Sequence, residues 1–250
     1  MVQLIFYSLI GGFFSLTGGF ILLWKHTLAK KIMTPLLSFA TGAFLSAAFL
    51  DILPEAVEMV EEPHPILATA LVGIASYFVL ERLLMTFLNK NKNIEHSHSE
   101  HTESLPPLLI FGDSFHNFLD GIVIAISFVA NPSLGLITTL AVAAHEVPQE
   151  IGDFSILLHQ GWSKKKVIFV NILQSLATIP GVLVGYFAGQ ALETQLPYML
   201  AYAAGIFIYI ACSDIIPEIH HDSGHKKFYQ VVVPFAVSII LLSYLIGLTH

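Results

Sequence analysis

Apolar runs long enough to cross a bilayer recur along this chain, at about 3–24, 34–57, 66–88, 106–130, 134–158, 167–190, 196–219 and 228–249. A helix of about 20 apolar residues spans the hydrocarbon layer, and lipid offers the backbone no hydrogen-bond partner other than its own helix. The pattern therefore predicts an all-α integral membrane protein of eight transmembrane helices, one domain over 1–250, with no room for a soluble domain. Composition agrees: 55% of the 250 residues are apolar and 12% charged, against roughly 25% charged in soluble domains. Mean hydropathy is +0.73, which excludes a disordered chain. The single cysteine, Cys212, excludes a disulfide framework or a Cys-rich zinc knuckle. A net charge of −7 argues against a nucleic-acid partner. The first run has no basic segment before it and no small-residue cleavage site, so it reads as a span rather than a signal peptide.

The basic residues give the orientation. Lys25, Lys30 and Lys31 follow span 1, Arg82, Lys90 and Lys92 close span 3, Lys164 to Lys166 follow span 5, and Lys226 and Lys227 follow span 7. These are all 11 basic residues, and eight spans put every one on the same side. The opposite loops carry Glu58, Glu61, Glu62 and Glu193 and no base. The positive-inside rule makes the basic side cytoplasmic, with both termini outside. The cytoplasmic 89–105 loop holds His96, His98 and His101, which read either as transient metal ligands or as part of a solvated linker.

A short motif occurs twice. Asp51-Ile52-Leu53-Pro54-Glu55 lies toward the outer end of span 2, and Asp214-Ile215-Ile216-Pro217-Glu218 toward the inner end of span 7. Equivalent residues at opposite faces are the mark of an inverted repeat, an architecture of alternating-access transporters. Gly11, Ser15 and Gly19 in span 1 are echoed by Gly181, Gly185 and Gly189 in span 6. The predicted arrangement is 3+2+3, with spans 1–3 and 6–8 as halves around spans 4 and 5. Small-residue stripes bring helices close and would equally serve a homodimer. Pro54, Pro148, Pro180 and Pro217 each free a carbonyl four residues earlier and predict kinks.

The chemistry is concentrated in spans 4 and 5. Span 4 reads Asp113-Ser114-Phe115-His116-Asn117-Phe118-Leu119-Asp120-Gly121, and span 5 reads His145-Glu146-Val147-Pro148-Gln149-Glu150-Ile151-Gly152-Asp153. One charged residue at a bilayer centre costs roughly 2.5–3.5 kcal/mol on insertion scales. Several such residues need a shared compensation, and a divalent cation is the simplest. Residues four apart share a helix face. His116, Asp120, His145 and Gln149 therefore frame one candidate site, and Asn117, Glu146 and Glu150 an adjacent one. Imidazole, carboxylate and amide together suit zinc, iron, manganese or cadmium. Asp113 and Asp153 read as further ligands or as hydrogen-bonding and helix-end groups. Asp51, Glu55, Asp214 and Glu218 read as gates or as caps. His220, His221, Asp222 and His225 at the cytoplasmic exit read as metal handover or as solvated loop. Cys212 reads as a small apolar filler.

A zinc protease would need histidine at position 149 to complete HExxH. Gln149 and the preceding Pro148 break that motif, so no enzyme is expected. His116-Asn117-Phe118-Leu119-Asp120-Gly121 together with His145-Glu146-Val147-Pro148-Gln149-Glu150-Ile151-Gly152-Asp153 resembles the two signature helices of the ZIP (Zrt/Irt-like) metal transporters. The form is that of a minimal, prokaryotic-type member of the LIV-1 branch without an extracellular domain. The resemblance spans essentially the whole chain. It implies import of Zn2+ and related divalent metals into the cytoplasm across the plasma (inner) membrane, through a binuclear centre on spans 4 and 5. His116, Asn117, Asp120, His145, Glu146 and position 149 would be ligands. The LIV-1 pattern carries histidine at 149 and other branches glutamate, whereas Gln149 is a neutral, weaker ligand. A membrane sensor or store that binds metal without moving it is the alternative, and the inverted repeat favours transport over it.

Overall fold

The computed structural model describes residues 2–90, 105–222 and 228–249. Among them the chain forms eight helical rods. These are α1 (Val2–Trp24), α2 (His26–Ser46, continuing through Ala47–Ile52 and Leu53–Glu58), α3 (Pro63–Lys90) and α4 (Leu105–Ala130). There follow α5 (Pro132–His159), α6 (Lys164–Ser175 and Thr178–Ala191), α7 (Leu196–Tyr209, continuing through Ile210–Ile215 and Ile216–Asp222) and α8 (Phe228–Thr249). Seven are long and apolar enough to cross a membrane. The remaining rod, α5, is equally long at 28 residues, and its polar side chains set it apart. The 89–105 loop lies almost wholly outside the described residues, with His96, His98 and His101, and so does His225.

Local sequence sets the ends of α5. Asn131 accepts a hydrogen bond from the backbone N–H of Ser133 at 2.9 Å, and Pro132 occupies the first turn, where it loses no bond. At the other end Gly161 takes φ +80. Its N–H bonds Leu158 O while that of Trp162 bonds Leu157 O, closing the last turn as a Schellman motif. Lys166 then lies 3.5 Å over the Trp162 ring, a cation on an amphipathic aromatic of the kind found at membrane interfaces.

The repeated motif has a backbone counterpart. In α2 the helix widens to a π-turn over Ala47–Ile52, and in α7 over Ile210–Ile215. The N–H of Leu53 reaches back five residues to Ala48 O, and that of Ile216 to Ala211 O. In both the aspartate is fifth in the turn and the proline follows two residues beyond it. A proline in a helix clashes with the carbonyl four back, and a widened turn relieves the clash. The likeness extends upstream: Leu37, Ala40, Gly42, Phe44 and Ala48 match Leu200, Ala203, Gly205, Phe207 and Ala211 at the spacing that relates Asp51 to Asp214. Phe44 and Phe207, both fully buried, meet edge-on with ring centroids 4.5 Å apart.

Close packing rests on small residues, as it must where lipid is as apolar as leucine. The most extensive contacts are α4 with α6, α1 with α5, α2 with α8 and α3 with α7. A side chain on Gly121 would run into Thr178 O, one on Gly181 into Phe118 O, and one on Gly18 into Val147 O. Gly73 faces Tyr202 O and Gly205 faces Ala70 O across the α3–α7 seam. In α2, 72% of the spanning window is buried, against 17% in α3 and in α8. α2 is thus central, while α3 and α8 present large apolar side chains such as Leu71, Ile240 and Tyr244 outward.

Candidate metal centre

His116 and Asp120 lie one turn apart midway along α4, and His145 and Glu146 midway along α5. The helices present them to each other so that one ligand atom from each of the four lies within 4.8 Å of the others. The two imidazole Nε2 atoms are 2.9 Å apart. Asp120 Oδ2 stands 3.6 Å from both, and Glu146 Oε1 is 3.5 Å from His145 Nε2. His145, Asp120 and Glu146 are buried, and the His116 side chain is 14% exposed. The Phe44 ring packs 4.4 Å from the His145 ring.

The other expected ligands divide. Glu150 is 2% exposed, and neither of its carboxylate oxygens accepts a hydrogen bond from a described residue; the same holds for both oxygens of Glu146. Such groups in a dry interior cost free energy unless something positive meets them. Asn117 is instead engaged at both ends. Its amide nitrogen donates to Asp113 O at 3.2 Å, and its oxygen accepts from the Thr178 hydroxyl at 3.3 Å. Gln149 donates to Asp113 Oδ1 at 2.5 Å. Asp113 therefore ties the α4 and α5 amides together. Asp153 is buried nearby.

A cavity of about 820 Å³ reaches the His116/His145 pair from one side. Its walls carry Glu81, Asp113, Asp153, Asp214 and Glu218, together with Gln149 and Tyr77. These residues occupy the second half of α3, the first half of α4 and the second halves of α5 and α7, the halves that adjoin the basic segments in the sequence. Toward the acidic loops the same bundle is filled by buried Leu53, Ala56, Ile66, Leu196 and Leu200. Asp51 belongs to that filled side and is 1% exposed.

Three neighbours of the site went unread in the sequence. Tyr77 on α3 places its hydroxyl 3.1 Å from His116 Nδ1. Tyr209 on α7 donates to Glu81, which sits one turn beyond Tyr77. Thr178 holds Asn117 from the break in α6. The available signal was Glu81, an acid inside a span, since intramembrane acids mark functional surroundings.

Two imidazoles and two carboxylates converge midway along packed apolar helices, a group that could hold a metal ion within a bundle of membrane-length helices. Comparison with known proteins places it. The family model described as ZIP Zinc transporter matches residues 1–107 and 105–242, and the chain belongs to that family. It is 39% identical over 138 residues to the zinc transporter foi of Drosophila melanogaster, covering 55% of this chain and 19% of that protein. It is 40% identical over 125 residues to zinc transporter ZIP10 of Danio rerio, covering 50% and 15%. Against human zinc transporter ZIP4 the identity is 38% over 113 residues, covering 45% and 17%. The matches thus span less than a fifth of each of these relatives.

Proposed function

We propose that this chain imports divalent metal cations, zinc foremost and with iron, manganese or cadmium as further cargo, through a binuclear site between α4 and α5. The observation that carries the reading is the mid-helix cluster of His116, Asp120, His145 and Glu146, with nearby the Glu150 carboxylate, which has no hydrogen-bond partner among the described residues. His116, Asp120 and His145 hold one ion, with Gln149 at the cavity wall. Glu146 and Glu150 with Asn117 hold the other, Glu146 lying between the two. Zinc accepts both imidazole and carboxylate ligands, and the imidazoles are what favour it over harder cations such as manganese. No covalent chemistry is involved, so the chain is not an enzyme.

The reading includes a topology. The chain is one domain of eight spans in a 3+2+3 inverted repeat, with the basic ends in the cytoplasm, both termini outside and the plasma membrane as its location. Its support is the packing. Exchanging α1 with α6, α2 with α7, α3 with α8 and α4 with α5 turns the α1–α5 contact into α6–α4 and the α2–α8 contact into α7–α3, which are the four most extensive seams. On this topology the cavity faces the cytoplasm and the structure is inward-open.

Zinc flux into proteoliposomes, measured beside equilibrium zinc binding to the same protein, tests the reading. Saturable flux at zinc concentrations that fill the site is expected. Binding without flux would make the chain a sensor or a store.

A further inference from the structure

A metal-bound histidine has a second ring nitrogen, and the group that holds it fixes the ring's aim. That group on His116 comes from another helix: the Tyr77 hydroxyl on α3, 3.1 Å from Nδ1. We propose that Tyr77 is a positioning residue which aims His116 Nε2 into the metal centre from the α3–α7 pair. The inference rests on the reading of His116 as a ligand.

Tyr77 is itself firmly placed. The α3–α7 seam is closed by reciprocal contacts at Gly73 and Gly205. One residue before Tyr77, Ser76 donates to the Tyr202 hydroxyl at 2.8 Å. One turn beyond Tyr77, Glu81 accepts from Tyr209. The Tyr77 and Tyr209 rings pack with centroids 5.4 Å apart. The hydroxyl therefore projects from a rigid pair of helices onto an imidazole carried by a third.

The chemistry of the partner matters as much as its position. Histidine ligands are more usually held by a carboxylate or carbonyl, which only accepts, so that the proton stays on that nitrogen and the ligand becomes more basic. A phenol donates or accepts. With a cation on Nε2, the His116 proton sits on Nδ1 and Tyr77 accepts it. With Nε2 facing His145 Nε2 at 2.9 Å, one of those two nitrogens donates. When His116 is that donor, Tyr77 donates to Nδ1 instead. The ring is held in either tautomer without an anion to tighten its grip on the ion, which suits a ligand that must release its cargo.

The test is cobalt(II) binding to the purified 250-residue chain, followed by ligand-field absorption. Tyr77→Phe keeps the ring and removes the hydroxyl. We expect it to weaken cobalt binding by about tenfold or more, within the range for outer-shell partners, and to shift the absorption bands. Ser76→Ala, which removes one exposed α3–α7 bond and leaves the Gly73 and Gly205 contacts and the Tyr209 packing that hold Tyr77, should leave affinity and bands unchanged. In a His116→Ala background Tyr77→Phe should cost nothing further. The inference is overturned by unchanged cobalt binding in Tyr77→Phe, by an equal loss in Ser76→Ala, or by an equal further loss without His116. If His116→Ala itself binds cobalt like the unaltered chain, the metal-site reading fails and takes this inference with it. An impaired His116→Ala beside an unimpaired Tyr77→Phe sinks this inference alone.

Discussion

The segments 36–55 of α2 and 199–218 of α7 share sequence and backbone, yet they stand in opposite surroundings. Each widens into a π-turn, carries an aspartate fifth in that turn and resumes its helix ahead of a proline. Asp51 is 1% exposed, on the side filled by Leu53, Ala56, Ile66 and Leu196. Asp214 is exposed and lines the cavity that reaches the His116/His145 pair. Local sequence therefore sets the shape of the turn, whereas the parting of the bundle sets what the turn meets. For a transporter of two states, equivalent devices in different environments are the expected picture of either one. On the proposed reading, the opposite state seals Asp214 and opens Asp51.

If both halves serve one centre, the residues at that centre are needed in either state. His116→Ala and His145→Ala should each lower zinc uptake by at least about 100-fold, the upper end of what losing even an outer-shell partner costs. Each removes an imidazole and leaves the Asp120 and Glu146 carboxylates with less to offset their burial. Uptake of radioactive zinc, normalised to protein in the membrane, measures this. Normal uptake in both variants would remove the shared centre on which the comparison turns.

The contrast between the two aspartates is directly accessible to labelling. In a Cys212→Ala background, Asp214→Cys should react with a water-soluble maleimide applied from the basic side, and Asp51→Cys should react at least about tenfold more slowly, because thiol chemistry requires access. Equal rates from that side would abolish the asymmetry. A rise in Asp51→Cys reactivity from the acidic side during zinc transport would sharpen it into alternation.

The pH dependence carries a definite sign. Histidine ligates only when neutral and carboxylates only when ionised, so ion binding releases protons and weakens as pH falls. Free imidazole titrates near about 6.5. Uptake at subsaturating zinc should fall several-fold between pH 7 and pH 5. A rate that climbs steadily to pH 5 would argue against imidazole ligation and for protons as the driving ion.

Much of this was legible in the chain because lipid simplifies the physics. Backbone self-sufficiency turns apolar run length into helix count, and the eight runs correspond to the eight rods within about three residues at each end, except that α2 begins at His26, well before its run at 34. The His116/Asp120 pair was legible because residues one turn apart share a helix face; the same rule turned Glu146 about 100° away from His145, toward Asn117 and Glu150, whereas the structure brings a Glu146 oxygen within 4.8 Å of the other three ligand atoms. Helix period could not assign partners across helices. Gln149 lies one turn from His145, yet its amide is held by Asp113, and Asn117 is held by Asp113 and Thr178. Those pairings depend on the depth and rotation of α4, α5 and α6, which the glycine contacts set. The π-turns were likewise unread: Pro54 and Pro217 predict kinks, and the structure adds a widened turn just ahead of each.

The smallest expected effect concerns the residue where this chain departs from its LIV-1 relatives' pattern. Gln149 lines the cavity and donates to Asp113. In Gln149→His, one ring nitrogen can donate to Asp113 while the other faces the ion, the carboxylate–histidine arrangement that strengthens a ligand. Imidazole favours zinc over manganese more than an amide oxygen does. The variant should therefore raise the zinc-to-manganese preference by roughly three- to tenfold, the equivalent of about 1 kcal/mol, and lower the KM for zinc. It should also lower the maximal zinc rate, because a transport site must let go. Competitive uptake of the two metals reads the preference, and initial rates read the split. An unchanged preference would mean that position 149 does not meet the cation. Gln149 would then serve only to hold Asp113, and selectivity would rest on His116, His145 and the Glu146 and Glu150 carboxylates.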